Sequence, residues 1–280
     1  MADPYVVLSG VGLGESPRWH DGRLWLCDWI AGEILVVDGA GGRDVVARLP
    51  SFPFSIDWLP DGRLVVVCGH ALQTVEADGT LRPYADLTGL SEFGWNEIVV
   101  DPRGNAYVNN VGFDLMGGAL AAPGIVAMVT AGGQARQVAD DVWFPNGMAI
   151  TPDGSTLLVA ESYRSRLTAF AIDDDAGLSD RGLWADLDGG VPDGICLDVD
   201  GAAWYADVPH RRCVRVRRGG AVLQTVDAEH GCFACMLGGP DGATLFMLSA
   251  EWTGTAGVGQ GPASGQVLAV EAPFPHAGRP

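Results

Sequence analysis

Positive charge is what this sequence has least of. Lys and Arg together number 17 against 35 Asp and Glu, a formal net charge of −18. A surface of that sign repels nucleic acid and anionic membranes, so neither is expected as a partner; it attracts cations. Long apolar runs are missing as well. No stretch approaches the roughly 18 apolar residues that a membrane-spanning helix needs. The opening MADPYVVLSG has neither a basic segment nor a long apolar core, so no secretory leader is expected and the protein reads as cytoplasmic. Extended helical periodicity has no convincing candidate, which counts against an α/β barrel. No Gly-x-Gly-x-x-Gly or Walker-type loop precedes a helix, so nucleotide cofactors find no support. GES and AES supply no nucleophile elbow for a serine hydrolase. The six cysteines, Cys27, Cys68, Cys196, Cys213, Cys232 and Cys235, read as buried reduced thiols. Cys232 and Cys235 have CxxC spacing, but no second pair or nearby histidines complete a zinc set.

What is abundant is turn chemistry and apolar β-formers. Glycines number 40, prolines 17, and hydrophobic residues make up 48%. An Asp-Gly-type turn between strand-like runs recurs six times, as in HDGRLWLCD (20–28), PDGRLVVVCG (60–69) and PDGSTLLVAES (152–162). The turn aspartates are Asp21, Asp61, Asp101, Asp153, Asp200 and Asp241, spaced by 40, 40, 52, 47 and 41 residues. Each turn joins two short apolar runs, a third follows, and a fourth fits in most units, such as RDVVARL (43–49). Four short strands in a unit of this length describe a propeller blade. The expectation is an all-β, six-bladed β-propeller of four-stranded antiparallel blades, one domain over residues 1–280. YVVLSG (5–10) and GQVLAVEA (265–272) are expected to pair within one blade and close the ring. The glycine-rich segment 111–124 is expected to cover one mouth, and 249–265 reads as a second long loop.

In a propeller the first strand of each blade lines the central channel, so residues at its start face one another across the axis. Those positions hold Glu15, Ser55, Asn96, Asn146, Asp193 and Ala234. Taken singly, Glu15 is an ordinary solvated turn acid, and Asn146 and Asp193, each before a glycine, are ordinary turn residues. Their equivalent places in separate blades point instead to a shared oxygen-rich site for one hard divalent cation. Calcium is the first expectation, with magnesium or manganese next and zinc the least natural of the four.

The motifs GESPRW (14–19), WNEIVVDPRGN (95–105), FPNGMAITPDG (144–154), ESYRSRLTAF (161–170) and VPDGICLDVDG (191–201) resemble those of the SMP-30/gluconolactonase family, whose members include the regucalcins. They span nearly the whole chain in family order. The resemblance implies a metal-dependent sugar-lactone hydrolase. It implies Glu15, Asn146 and Asp193 as metal ligands, Asn96 close to the metal or substrate, and Asp193 doubling as general base. Many members carry an arginine two residues before that asparagine. Here the position is Gly94, with Trp95 beside the asparagine and Glu97 where aspartate often stands. Trp95, Asn96, Glu97 and Trp143 are the expected substrate contacts. Trp143, Phe144, Phe52, Phe54 and Phe93 suggest an aromatic mouth, so a lactone or ester more apolar than an aldonolactone enters consideration. The rival reading is a calcium- or small-ligand-binding propeller without turnover; a third is isomerisation or condensation on another carbonyl substrate. His210 reads as a loop residue, and Trp19, Trp25, Trp58 and Trp204 as packing between blades. A monomer acting on a small molecule is the default.

Overall fold

The computed structural model describes residues 3–38 and 41–278. Strand β1 (Tyr5–Val11) stands apart from its sequence neighbours. The first blade is β2 (Gly14–His20), β3 (Arg23–Asp28), β4 (Glu33–Val37) and β5 (Arg43–Arg48). The second is β6 (Phe54–Trp58), β7 (Leu64–Cys68), β8 (Ala71–Val75) and β9 (Leu81–Asp86). The third is β10 (Glu97–Val100), β11 (Ala106–Asn110), β12 (Gly124–Val129) and β13 (Ala135–Val142). The fourth is β14 (Pro145–Ile150), β15 (Thr156–Glu161), β16 (Arg166–Ile172) and β17 (Leu178–Asp186). The fifth is β18 (Pro192–Leu197), β19 (Ala203–Asp207), β20 (Arg212–Val216) and β21 (Val222–Asp227). The last is β22 (Gly231–Gly238), β23 (Thr244–Ala250) and β24 (Gly265–Glu271), completed by β1 on its outer edge. Six antiparallel four-stranded sheets thus form the six-bladed propeller expected from the repeats. The closure is as expected too: Tyr5 lies opposite Ala269, and Val11 opposite Gly265. Helix among the described residues is limited to two 3₁₀ turns, Ser162–Arg164 and Thr255–Gly257, so none is long and apolar enough to cross a membrane.

The continuous apolar runs now have a cause. A middle strand is buried on both faces, each facing a different neighbouring blade. In β7, Val65 and Val67 pack toward the third blade while Leu64, Val66 and Cys68 pack toward the first. The core is accordingly divided among the interfaces between adjacent blades, each with its own cluster. Outer strands face solvent and alternate only weakly, as in β5, where Arg43, Asp44 and Val45 are exposed and Ala47 is buried. All six cysteines are free and buried, four of them in the interface between the fifth and last blades.

At two positions around the axis, Gly147 and Gly194, the inner strands approach so closely that a side chain is excluded. A Cβ on Gly147 of β14 would lie 2.5 Å from the Ile195 nitrogen and 2.6 Å from the Asp193 carbonyl oxygen. One on Gly194 of β18 would lie 2.6 Å from the Ala234 Cβ. These contacts are with backbone or a short side chain, which cannot swing away. Gly147→Ala is therefore expected to lower unfolding free energy by about 1–3 kcal/mol through overpacking, measured by urea denaturation. A neutral result would show that the blades can separate at no cost.

Candidate functional site

One mouth of the channel opens into a cavity of about 770 Å³. Glu15, Asn96, Asn146 and Asp193, residues up to 178 positions apart, all line it. For Glu15, Asn146 and Asp193 the local device that turns them there is the β-bulge, whereas Asn96 directly precedes β10, whose pairing with β11 is regular. Pairing of β2 with β3 slips between Glu15 and Arg18, and that of β14 with β15 between Pro145 and Met148. Pairing of β18 with β19 slips between Pro192 and Ile195, and that of β22 with β23 between Cys232 and Ala234. A bulge places two residues opposite one and re-aims a side chain out of the alternating pattern. Ser16, within the first bulge, takes φ 49°, the left-handed region rarely used by non-glycine residues. The second blade keeps regular register in β6 and offers no polar side chain to the cavity.

Hydrogen bonds stitch these inner strands together. Ser16 Oγ lies 2.7 Å from Ser55 Oγ, and Ser55 Oγ donates in turn to Glu97 Oε1. Asn109 Nδ2 donates to the Asn146 carbonyl oxygen at 2.7 Å, and Asn96 Nδ2 to Asn146 Oδ1 at 3.4 Å. Ser162 Oγ donates to the Pro192 carbonyl oxygen at 2.6 Å and itself lines the cavity. Sequence reasoning missed Ser162.

It also missed three buried acids at the ends of second strands. Asp28 accepts from the backbone nitrogens of Gly12 (2.8 Å) and Leu13 (3.3 Å), just before Glu15. Glu161 accepts from the Trp143 nitrogen at 2.9 Å, before Asn146. Asp207 accepts from the Val191 nitrogen at 3.4 Å, before Asp193. Each tethers the segment that delivers a site residue. The signal was present in the repeats as an acid ending LCD, VAE and YAD.

Three expected substrate contacts are corrected. Trp95 is fully buried in the interface between the second and third blades, because its apolar ring is worth more there than at a wet mouth. Glu97 is buried outside the cavity lining and bound to Arg18, whose Nη2 reaches its Oε1 at 3.1 Å. Trp143 turns away from the cavity: its Nε1 donates to Asp141 Oδ1 at 2.8 Å, and Arg164 sits 4.9 Å over its ring. Phe54, expected at the rim, is buried core, whereas Phe52, Phe93 and Phe144 do line the cavity. Both long loops contribute: Phe113, Leu115 and Met116 from one, Trp252 and Val258 from the other. His210 sits on a turn with Nδ1 2.8 Å from Asp207 Oδ1 and stays outside the lining.

Electrostatically the mouth is acidic. Burial pushes the Glu15 carboxyl well above the usual carboxylate range, and the charges of Asp193 and Glu97 push it further. The Asp193 carboxyl is raised in the same way, first by burial, then by Glu97. Arg18 neutralises Glu97, and among the described residues no ion pair reaches Glu15 or Asp193. Nor do any three His, Cys, Asp or Glu side chains of the described residues gather as a metal cluster. The donors here are two carboxylates and side-chain amides.

Fold and mouth together define a six-bladed propeller with an oxygen-lined, acidic site at one end of its channel. Residues 13–251 match the family model described as the SMP-30/Gluconolactonase/LRE-like region; the chain belongs to that family. It is 26% identical over 279 residues to a 6-deoxy-6-sulfogluconolactonase of Pseudomonas putida, covering 96% of this chain and 94% of the relative. It is 28% identical over 261 residues to a regucalcin of Danio rerio, covering 85% and 83%. The fold superposes on a luciferin-regenerating enzyme with TM-score 0.82 at 18% identity, over 98% of this chain and 97% of that one.

The Arg18–Glu97 pair beneath the mouth is buried, so removing one partner strands the other. Arg18→Met is expected to cost about 3–5 kcal/mol, and adding Glu97→Gln to restore most of it. Equilibrium unfolding of the two variants checks this; equal losses would mean that the pair is not coupled.

Proposed function

We propose that this protein is a divalent-metal-dependent lactonase, with Glu15, Asn146 and Asp193 holding the ion and Asp193 also serving as general base. The observation that carries the reading is charge balance. Glu15, Asp193 and Glu97 repel one another in a buried space, and one guanidinium, Arg18, is bound there. A divalent cation matches the charge that remains. Carboxylate and amide oxygens are the donors that hard cations prefer, which supports calcium, magnesium or manganese ahead of zinc. The full-length likeness to a sulfogluconolactonase supports lactone opening as the reaction.

A bound divalent ion supplies Lewis-acid polarisation of the ester carbonyl and makes water more acidic. The chain's own residues do the rest. Asp193, with one carboxylate oxygen free, takes the proton of the water that attacks the carbonyl carbon. It later returns the proton to the departing ring oxygen, giving a hydroxy acid. Asn96, hydrogen-bonded to Asn146 at 3.4 Å, offers an amide to the substrate beside the reacting carbon. Ser162 holds the Pro192 carbonyl oxygen and so keeps Asp193 in register. The aromatic wall holds the remainder of the substrate and keeps bulk water out.

In chelator-treated protein supplied with calcium, magnesium, manganese or zinc, at least one ion is expected to restore hydrolysis across a lactone panel. Asp193→Ala is expected to lower kcat by about 10²–10⁴ while the protein still melts cooperatively. Saturating wild-type protein with the active ion at about 100 times its Kd should add about 2.7 kcal/mol of stability, a gain that Glu15→Gln and Asp193→Asn should lose. A pure, metal-loaded sample that opens no lactone but gains this stability would favour the non-catalytic cation-binding propeller.

A further inference from the structure

The cavity that holds the site is unusual in what it pairs together. Its charged lining is acidic throughout: Glu92 and Asp114 stand on its walls with Glu15 and Asp193, and no Arg or His of the described residues lines it. Most of the rest is apolar, and its aromatic side chains include three groups around the mouth. Phe113, Phe144 and Tyr163 form one, with the last two stacked at 4.5 Å between ring centroids. Trp29 and Phe52 stack at 6.1 Å, the Trp29 ring fixed by a 2.7 Å hydrogen bond from Nε1 to the Phe54 carbonyl oxygen. Phe233 and Trp252 meet edge to face at 5.6 Å.

Three of these rings stay well exposed, Tyr163 at 49%, Trp252 at 41% and Phe52 at 37%. The fold does not bury them, so their apolar surface is left to a ligand. An anionic substituent held among the aromatic groups would be stripped of water with no cationic side chain to pair it and acids around it, which is strongly unfavourable. A ring bearing hydroxyls on every carbon would leave many of them facing aromatic carbon, unpaired.

We infer that the substrate is a neutral lactone fused to or bearing an aromatic or bulky apolar group, with the ester directed at Asp193 and the apolar body held among the three aromatic groups. Sugar lactones that carry a carboxylate, phosphate or sulfonate are excluded. The inference rests on the lactonase reading and specifies the substrate class of that site.

Dihydrocoumarin, D-gluconolactone and a sulfonated gluconolactone are compared as substrates of the metal-loaded protein. Dihydrocarbostyril, the lactam isostere of dihydrocoumarin, serves as a binding probe by calorimetry. Burial of the aryl ring should give dihydrocoumarin a kcat/KM roughly 10- to 100-fold above that of gluconolactone. The sulfonated lactone should be poorest. Tyr163→Ala should raise KM for dihydrocoumarin more than it lowers kcat. A Cβ on Gly94, itself in the lining, meets nothing closer than 3.7 Å and φ is unremarkable there. Gly94→Arg should therefore fold and raise kcat/KM for the sulfonated lactone roughly tenfold by supplying the missing cation.

A preference for either gluconolactone would overturn the inference while leaving the lactonase reading intact. Lactam binding without turnover of any lactone would overturn the lactonase reading and support the apolar ligand class. Absence of lactam binding together with equal rates on all three lactones would sink the inference.

Discussion

Like charges held close in a space with little water are the constraint around which this molecule is organised. Glu15 comes from the first blade, Glu97 from the third and Asp193 from the fifth. In an open chain they would drift apart. Closure of the ring through β1 and β24 denies them that freedom, and burial raises the cost of every uncompensated charge. Arg18 answers Glu97 at 3.1 Å. Glu15 and Asp193 keep their repulsion, and perturbed carboxyls of this kind cluster at functional sites.

The geometry that enforces this is built on small residues and irregular pairing. Glycine at 147 and 194 lets the inner strands of the last three blades pack backbone to backbone. Bulges at Glu15–Arg18, Pro145–Met148 and Pro192–Ile195 turn one side chain per strand toward the mouth. Asp28, Glu161 and Asp207 hold the segments before each bulge by accepting backbone N–H groups. The site is therefore positioned by strands and buried hydrogen bonds, and the long loops add the wall around it. Such a division separates chemistry from selectivity: a rigid floor of oxygen donors, and a wall that loops can change without disturbing it. The family match spans residues 13–251 and so covers the floor and most of the aromatic wall alike.

The propeller was legible because its signals are local and repeated. Asp-Gly turns at near-constant spacing and two-sided apolar runs such as Leu64–Val67 mark hairpins wherever they fold. The cavity lining by Glu15, Asn96, Asn146 and Asp193 also followed from the repeats, since equivalent positions in a ring face the same axis. Trp95, Glu97 and Trp143 were misplaced because adjacency in sequence was taken for adjacency at the mouth. Trp95 and Trp143 lie just before β10 and β14, where the path of the connecting backbone, rather than proximity in sequence to Asn96 or Asn146, sets the direction of a side chain. Ser162 and the three tethering acids carried only a faint repeat signal, because their partners are backbone atoms of other strands.

By itself, then, the sequence determined the number of blades, the order of the strands, the segment that closes the ring and the candidates for the axial site. Hydrophobic period and turn chemistry are properties of a few consecutive residues. Only the tertiary structure decided that Glu97 is paired with Arg18, that the cavity's charge is acidic throughout, and that three aromatic groups ring its mouth. Those facts depend on strand register and bulges, which set the direction of each side chain and arise from contacts between residues far apart along the chain.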